Sequence, residues 1–145
     1  ALQVLQIICD CFAHSKLVEV DLSDNALGSK GANACRTVLS GQAETLQRLS
    51  LCNNGLAAET MHELADILTE DAEDGSDSGC VAENLTKIHF YNNMSGDEGC
   101  AAFARILSRC TSALEDIRFS GVRGGREGTQ VVISALAAMG DNVRN

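Results

Sequence analysis

Polar and apolar positions along this chain fall into one pattern that returns four times. It reads LxxLxLxxN, on Leu17, Val20, Leu22 and Asn25, then on Leu46, Leu49, Leu51 and Asn54, then on Leu85, Ile88, Phe90 and Asn93. The fourth copy has Leu114, Ile117 and Phe119, with Val122 in place of the asparagine. Successive copies start 29, 39 and 29 residues apart. The alternation within each copy is that of a short strand with one buried face. Behind each strand, apolar residues return at helical spacing: Cys35, Val38, Leu39; Leu64, Ile67, Leu68; Phe103, Ile106, Leu107; Val132, Ala135, Leu136. The first 16 residues, with Leu5, Ile8, Cys9 and Phe12 apolar, read as the helix of a preceding unit.

A strand of a few residues and one amphipathic helix cannot bury their apolar faces alone, so successive units must stack. Strands then form a parallel sheet inside a curve and helices line its outside. The pattern is the leucine-rich-repeat signature, and the expected fold class is α/β: a leucine-rich-repeat solenoid, a ribonuclease-inhibitor-like horseshoe segment. It forms a single domain over residues 1–145, with repeats starting at Leu17, Leu46, Leu85 and Leu114. Neither terminus reads as a polar cap, and the final "GDNVRN" leads towards another strand. Self-association through uncapped repeat ends is therefore expected.

The asparagine that closes each copy turns the chain out of the strand. Its amide can serve backbone groups of neighbouring turns that would otherwise be buried without partners. Asn25, Asn54 and Asn93 are the structural ladder. The residue before each of them, Asp24, Asn53 and Asn92, is expected to point away from the core along one rim. On this reading the fold does not require Asn53, which is either a solvated turn residue or free for another role. Residues alternating with the buried strand positions form the concave face: Glu19, Asp21, Ser23; Arg48, Ser50, Cys52; Lys87, His89, Tyr91; Asp116, Arg118, Ser120. Their mixed signs suit a polar protein surface.

Composition narrows the partner. With 45% hydrophobic residues, 3% aromatics and no Trp or Pro, the core must be aliphatic and the architecture regular. A net charge of −9 repels nucleic-acid backbones and anionic membranes and favours basic protein surfaces. No apolar run is long enough to span a bilayer. Seven cysteines without a CxxC pair read as small core residues in a reducing compartment, not as disulfides or metal ligands. The chain lacks an initial Met and reads as an excised or processed segment of a cytosolic or nuclear protein.

Several strings are more specific than the general repeat: "DLSDNALGSKG" at 21–31, "NNGL" at 53–56 and "NNMSGDEGCAAFARIL" at 92–107. They resemble the leucine-rich-repeat domain of the Ran GTPase-activating proteins, most of all their plant and algal branch, and "LEDIRFSGVRGGREG" at 114–128 is similar to the repeat that follows there. The resemblance implies a cytoplasmic regulator, at the nuclear envelope in a full-length protein, which acts in nucleocytoplasmic transport on the GTP-bound small GTPase Ran. It implies no enzyme in the usual sense. The GTPase's own glutamine orients the attacking water, and an asparagine of the activator helps hold that glutamine. Matched residue by residue, that asparagine is Asn53. Asp24, Asn92, Arg48, Lys87 and Tyr91 are the expected partner contacts. The family's essential arginine lies in an earlier repeat, so neither Arg36 nor Arg48 corresponds to it. The alternative is a non-catalytic interaction scaffold of the ribonuclease-inhibitor-like class.

Other motifs carry less. The acidic insertion 70–80 lacks the alternate carboxylates of a calcium loop and is expected to be a flexible solvated loop. "GVRGGREG", 121–128, lacks the ending of a phosphate loop. His89 with Tyr91 and Cys52 lacks a third ligand or base, and His14 and His62 suggest no role. The sequons at Asn84 and Asn93 are set aside, the second because Asn93 should be buried. No metal or cofactor is expected.

Overall fold

The computed structural model describes residues 1–72, 79–111 and 114–140. It is a mixed α/β fold with four three-residue strands: β1 (Glu19–Asp21), β2 (Arg48–Ser50), β3 (Lys87–His89) and β4 (Asp116–Arg118). They form one sheet in chain order, each neighbouring pair parallel. Parallel pairing needs a crossover, and a helix supplies it between every two strands. The helices are α1 (Leu2–Cys11), α2 (Gly31–Ser40), α3 (Ala58–Thr69), α4 (Gly96–Arg109) and α5 (Arg126–Met139), each packed against the next.

Pairing follows the sequence offsets. Val20, Leu49, Ile88 and Ile117 stand in one row, flanked by Glu19, Arg48, Lys87 and Asp116 on one side and Asp21, Ser50, His89 and Arg118 on the other. The apolar row meets the helical faces in a single core. Leu46, Leu49, Leu51, Leu85, Ile88 and Phe90 are fully buried, as are Leu64, Leu68, Ile106 and Leu107. Truncating one of these leucines to alanine would cost about 2–5 kcal/mol. Phe103 joins the third unit to the fourth: its ring lies 5.8 Å from Phe90 and stacks on Phe119 at 4.1 Å.

Burial falls away towards both ends. Leu17, Leu22, Ile117 and Phe119 are only partly covered, and in α5 only Gly128 is buried. Of the four apolar residues picked out near the start, Cys9 is buried and Leu5 packs partly, whereas Ile8 and Phe12 are exposed beside Val4 and Ile7. Among the described residues α1 packs chiefly on α2.

The N-terminus of α5 shows why its glycines are needed. Asp97, in the first turn of α4, accepts from the backbone N–H groups of Gly125 at 2.6 Å and Gly128 at 3.1 Å. A Cβ at Gly128 would lie 2.9 Å from the Asp97 Cα and closer still to its carboxylate. A neighbouring carboxylate thus occupies the helix terminus that a phosphate loop would leave open.

Residues 73–78 of the acidic insertion lie outside the described residues, and the expectation of a flexible loop with them; so does the segment from Asp141 onward. Beside the insertion, one Arg109 nitrogen pairs with Asp71 at 2.7 Å and Glu83 at 3.0 Å. Asp71, Glu83 and buried Cys80 are close enough together to suggest a cation site. Arg109 already supplies the positive charge there. Among the described residues, no helix is long and apolar enough to cross a membrane.

Candidate functional site

The two asparagines of "LCNNGL" have opposite fates. Asn54 is buried: its Oδ1 accepts from the Asn25 N–H at 2.8 Å, and its Nδ2 donates to the Leu22 carbonyl at 2.9 Å. Asn93 repeats this one unit on, accepting from the N–H groups of Asn54 at 3.1 Å and Leu56 at 3.2 Å and donating to the Leu51 carbonyl at 3.0 Å. Each ladder amide therefore serves the unit before it. Asn25 departs from the expected ladder role among the described residues: it is exposed and its Nδ2 turns back to the carbonyls of Leu22 and Ser23. In the fourth unit Val122 fills the ladder position as a buried apolar residue, and its carbonyl accepts from the Gly96 N–H.

Asn53, by contrast, is exposed, and so are Asp24 and Asn92. All three have left-handed backbones, with φ of 63° at Asp24, 52° at Asn53 and 55° at Asn92, and Gly121 continues the series at 63°. This corrects the expectation that the fold makes no demand on Asn53. The rim position needs positive φ, and Asp, Asn and Gly are the residues that tolerate it best. The backbone accounts for the residue type. It does not use the side chain.

The rim is held rigidly. The N–H groups of Asp24, Asn53 and Asn92 donate to the carbonyls of Cys52, Tyr91 and Ser120 at 2.9 to 3.1 Å. Across it, Asn53 Nδ2 donates to Asp24 Oδ1 at 3.0 Å. Because a carboxylate can only accept, this contact identifies which amide atom of Asn53 is the nitrogen. Asn53 Oδ1 makes no hydrogen bond among the described residues.

Two of the expected partner contacts, Arg48 and Lys87, are engaged with Glu19 of β1. Glu19 pairs with Arg48 at 3.1 Å and Lys87 at 3.7 Å, and Asp116 lies 3.8 Å from Arg118. Ser50, Cys52 and His89, read from the sequence as surface groups, are buried. Alternation separates these positions from the apolar row of the strands but does not report how far their neighbours cover them. His89 Nε2 stands 2.9 Å from Asp116 Oδ2, although its N–H is not aimed along that line. The ring nonetheless holds the Asp116 carboxyl below its ordinary range. Hydrogen bonds from Ser23 do the same for Asp21.

Cys52 Sγ donates to the main-chain carbonyl of His89 at 3.3 Å, not to its ring. The nearby Cys52 pushes the half-buried Tyr91 phenol above its usual range. A carboxylate–imidazole pair is present, and among the described residues no nucleophile is hydrogen-bonded to it. His62 does take part in surface contacts, with its ring 3.3 Å from Glu98 and 3.4 Å from Arg105. Sequence reasoning passed over Met94, which is exposed just beyond the Asn92–Asn93 doublet. Its only signal is a large apolar residue where the equivalent positions carry Ala26, Gly55 and Arg123.

No protein-family model and no curated protein matches the chain. Among solved structures it is similar to the actin-binding site 2 of leiomodin-1, with a TM-score of 0.62 and 14% identity over 93% of this chain and 69% of the other. At that identity the likeness is one of fold.

Proposed function

We propose that this chain is a leucine-rich-repeat solenoid segment of a Ran GTPase-activating protein, and that Asn53 is the residue that acts on the GTPase. The carrying observation is the pairing of an exposed amide at Asn53 with a buried one at Asn54. In this reading the rim of Asp24, Asn53 and Asn92 faces GTP-bound Ran, with Tyr91, Arg48, Lys87 and Met94 beside it. Asn53 contacts the GTPase's own glutamine, which orients the attacking water. An amide suits that task because it both donates and accepts, and so can fix the orientation of another amide. The chemistry stays in the partner's active site.

Support comes from two sides: the residue strings shared with the family and the rigid left-handed rim. The exposed apolar residues of α1 and α5 favour packing on further repeats or on a second copy. A second reading, a scaffold that binds a partner without altering its catalysis, draws on the mutual ion pairing of the concave face. It also draws on the fold shared with the actin-binding site 2 of leiomodin-1. Single-turnover hydrolysis of Ran-bound GTP, with and without this chain, separates the two: acceleration supports the activator, and binding without acceleration supports the scaffold.

A further inference from the structure

The Asp24 carboxylate has one hydrogen-bond partner among the described residues, the amide of Asn53 at 3.0 Å, and it forms no ion pair there. The backbone at Asp24, with φ of 63°, would be served as well by Asn or Gly. An aspartate's distinctive property at this position is that it can only accept. We infer that Asp24 is a positioning residue: it captures Nδ2 of Asn53 and thereby turns Asn53 Oδ1 outward as the atom that meets the partner.

This rests on the proposed action of Asn53 and adds a direction to it. With Nδ2 committed to Asp24, the group received at Asn53 Oδ1 must be a hydrogen-bond donor, such as the N–H of a side-chain amide. A freely rotating Asn53 would spend part of its time presenting the wrong atom. Asp24 removes that alternative before the partner arrives, which is the usual benefit of preorganisation. Both residues are suited to this because their backbones are clamped to the following unit, Asp24 N–H to Cys52 O at 3.0 Å and Asn53 N–H to Tyr91 O at 3.1 Å. The distance between the two side chains is thus set by the pairing of β1 with β2 and does not depend on a mobile loop.

The test compares Asp24→Gly, which keeps the left-handed backbone and removes the acceptor, with Asp24→Asn, which retains an acceptor oxygen. The side-chain amide resonances of Asn53 come first, since they need no GTPase. In the native chain and in Asp24→Asn its two Nδ2 protons are expected to be well separated with slowed solvent exchange. In Asp24→Gly they should move to free-amide positions. In the hydrolysis assay, Asp24→Gly is expected to lower the rate at saturating chain about five- to tenfold, over and above any rise in the half-saturating concentration from the rim contact it loses, and Asp24→Asn, whose amide can present either atom, to restore part of that rate.

Unchanged Asn53 resonances in Asp24→Gly would overturn the inference. So would an equal loss of rate in both variants, or a loss confined to the half-saturating concentration. If the native chain accelerates nothing while the resonances respond as expected, the fault lies with the proposed action on Ran, and the capture of Asn53 by Asp24 stands.

Discussion

Asn93 lies one unit beyond Asn54 and accepts that residue's own backbone N–H on its Oδ1, at 3.1 Å, while donating to Leu51 behind it. This handover from one buried amide to the next ties successive units together at the point where each chain segment leaves its strand.

Replacing Asn93 with alanine leaves the N–H groups of Asn54 and Leu56 and the carbonyl of Leu51 without that amide in a dry site. The expected loss is about 2–4 kcal/mol, read as a lower urea midpoint. Asn25→Ala, at an exposed position, should cost under about 1 kcal/mol.

Asp97→Ala should destabilise the chain by about 1–2 kcal/mol, because it removes the acceptor for two N–H groups at the start of α5. Hydrogen exchange should quicken first in α5. Asp97→Asn, which keeps an oxygen, should recover part of the loss.

Six of the seven cysteines are buried and Cys11 is exposed. Burial pushes the Cys35 and Cys110 thiols up to about 12, which leaves almost no thiolate at neutral pH. A thiol reagent should therefore modify Cys11 alone in the folded chain and all seven after denaturation. Mass spectrometry of the labelled protein counts them.

The carboxyls of Asp21 and Asp116 are depressed in the folded state. Their contribution to stability is thus fully present above the unfolded carboxyl value of about 3.9 and is lost as pH falls through the lower folded values. Thermal melting should be insensitive to these groups at neutral pH and decline below about pH 4. The decline should be shallower in an Asp116→Asn variant, whose folded and unfolded states no longer differ in proton affinity at that position.

Much of this was legible in the sequence, and its limits have physical causes. The offsets of 29, 39 and 29 residues carried over directly into the strand register, because a parallel pair lines up equivalent residues of successive units. Asn54 and Asn93 were expected to be buried and are. Asn25 was expected with them and is exposed instead, its amide turned back to the carbonyls of Leu22 and Ser23, a local alternative that the repeat pattern does not distinguish. Alternation read Ser50, Cys52 and His89 as surface groups and could not indicate how closely their neighbours would cover them; all three are buried. The left-handed rim did leave a trace, Asp24, Asn53, Asn92 and Gly121, four residue types that share a tolerance of positive φ. It becomes readable only when the four copies are compared at that one position. The grip of Asp97 on α5 left none, because it joins two units through a side chain found in one copy of the repeat.

The central claim is that the first amide of the doublet serves a partner and the second serves the fold. Asn53→Gly isolates the first, since glycine accepts φ of 52° without strain while losing the side chain. The decisive measurement is single-turnover hydrolysis of Ran-bound GTP in the presence of the native chain and of this variant, with both shown to melt within a degree or two of each other. The account predicts acceleration by the native chain and a loss of about a hundredfold or more of that acceleration in Asn53→Gly. Equal acceleration by the two proteins would contradict it.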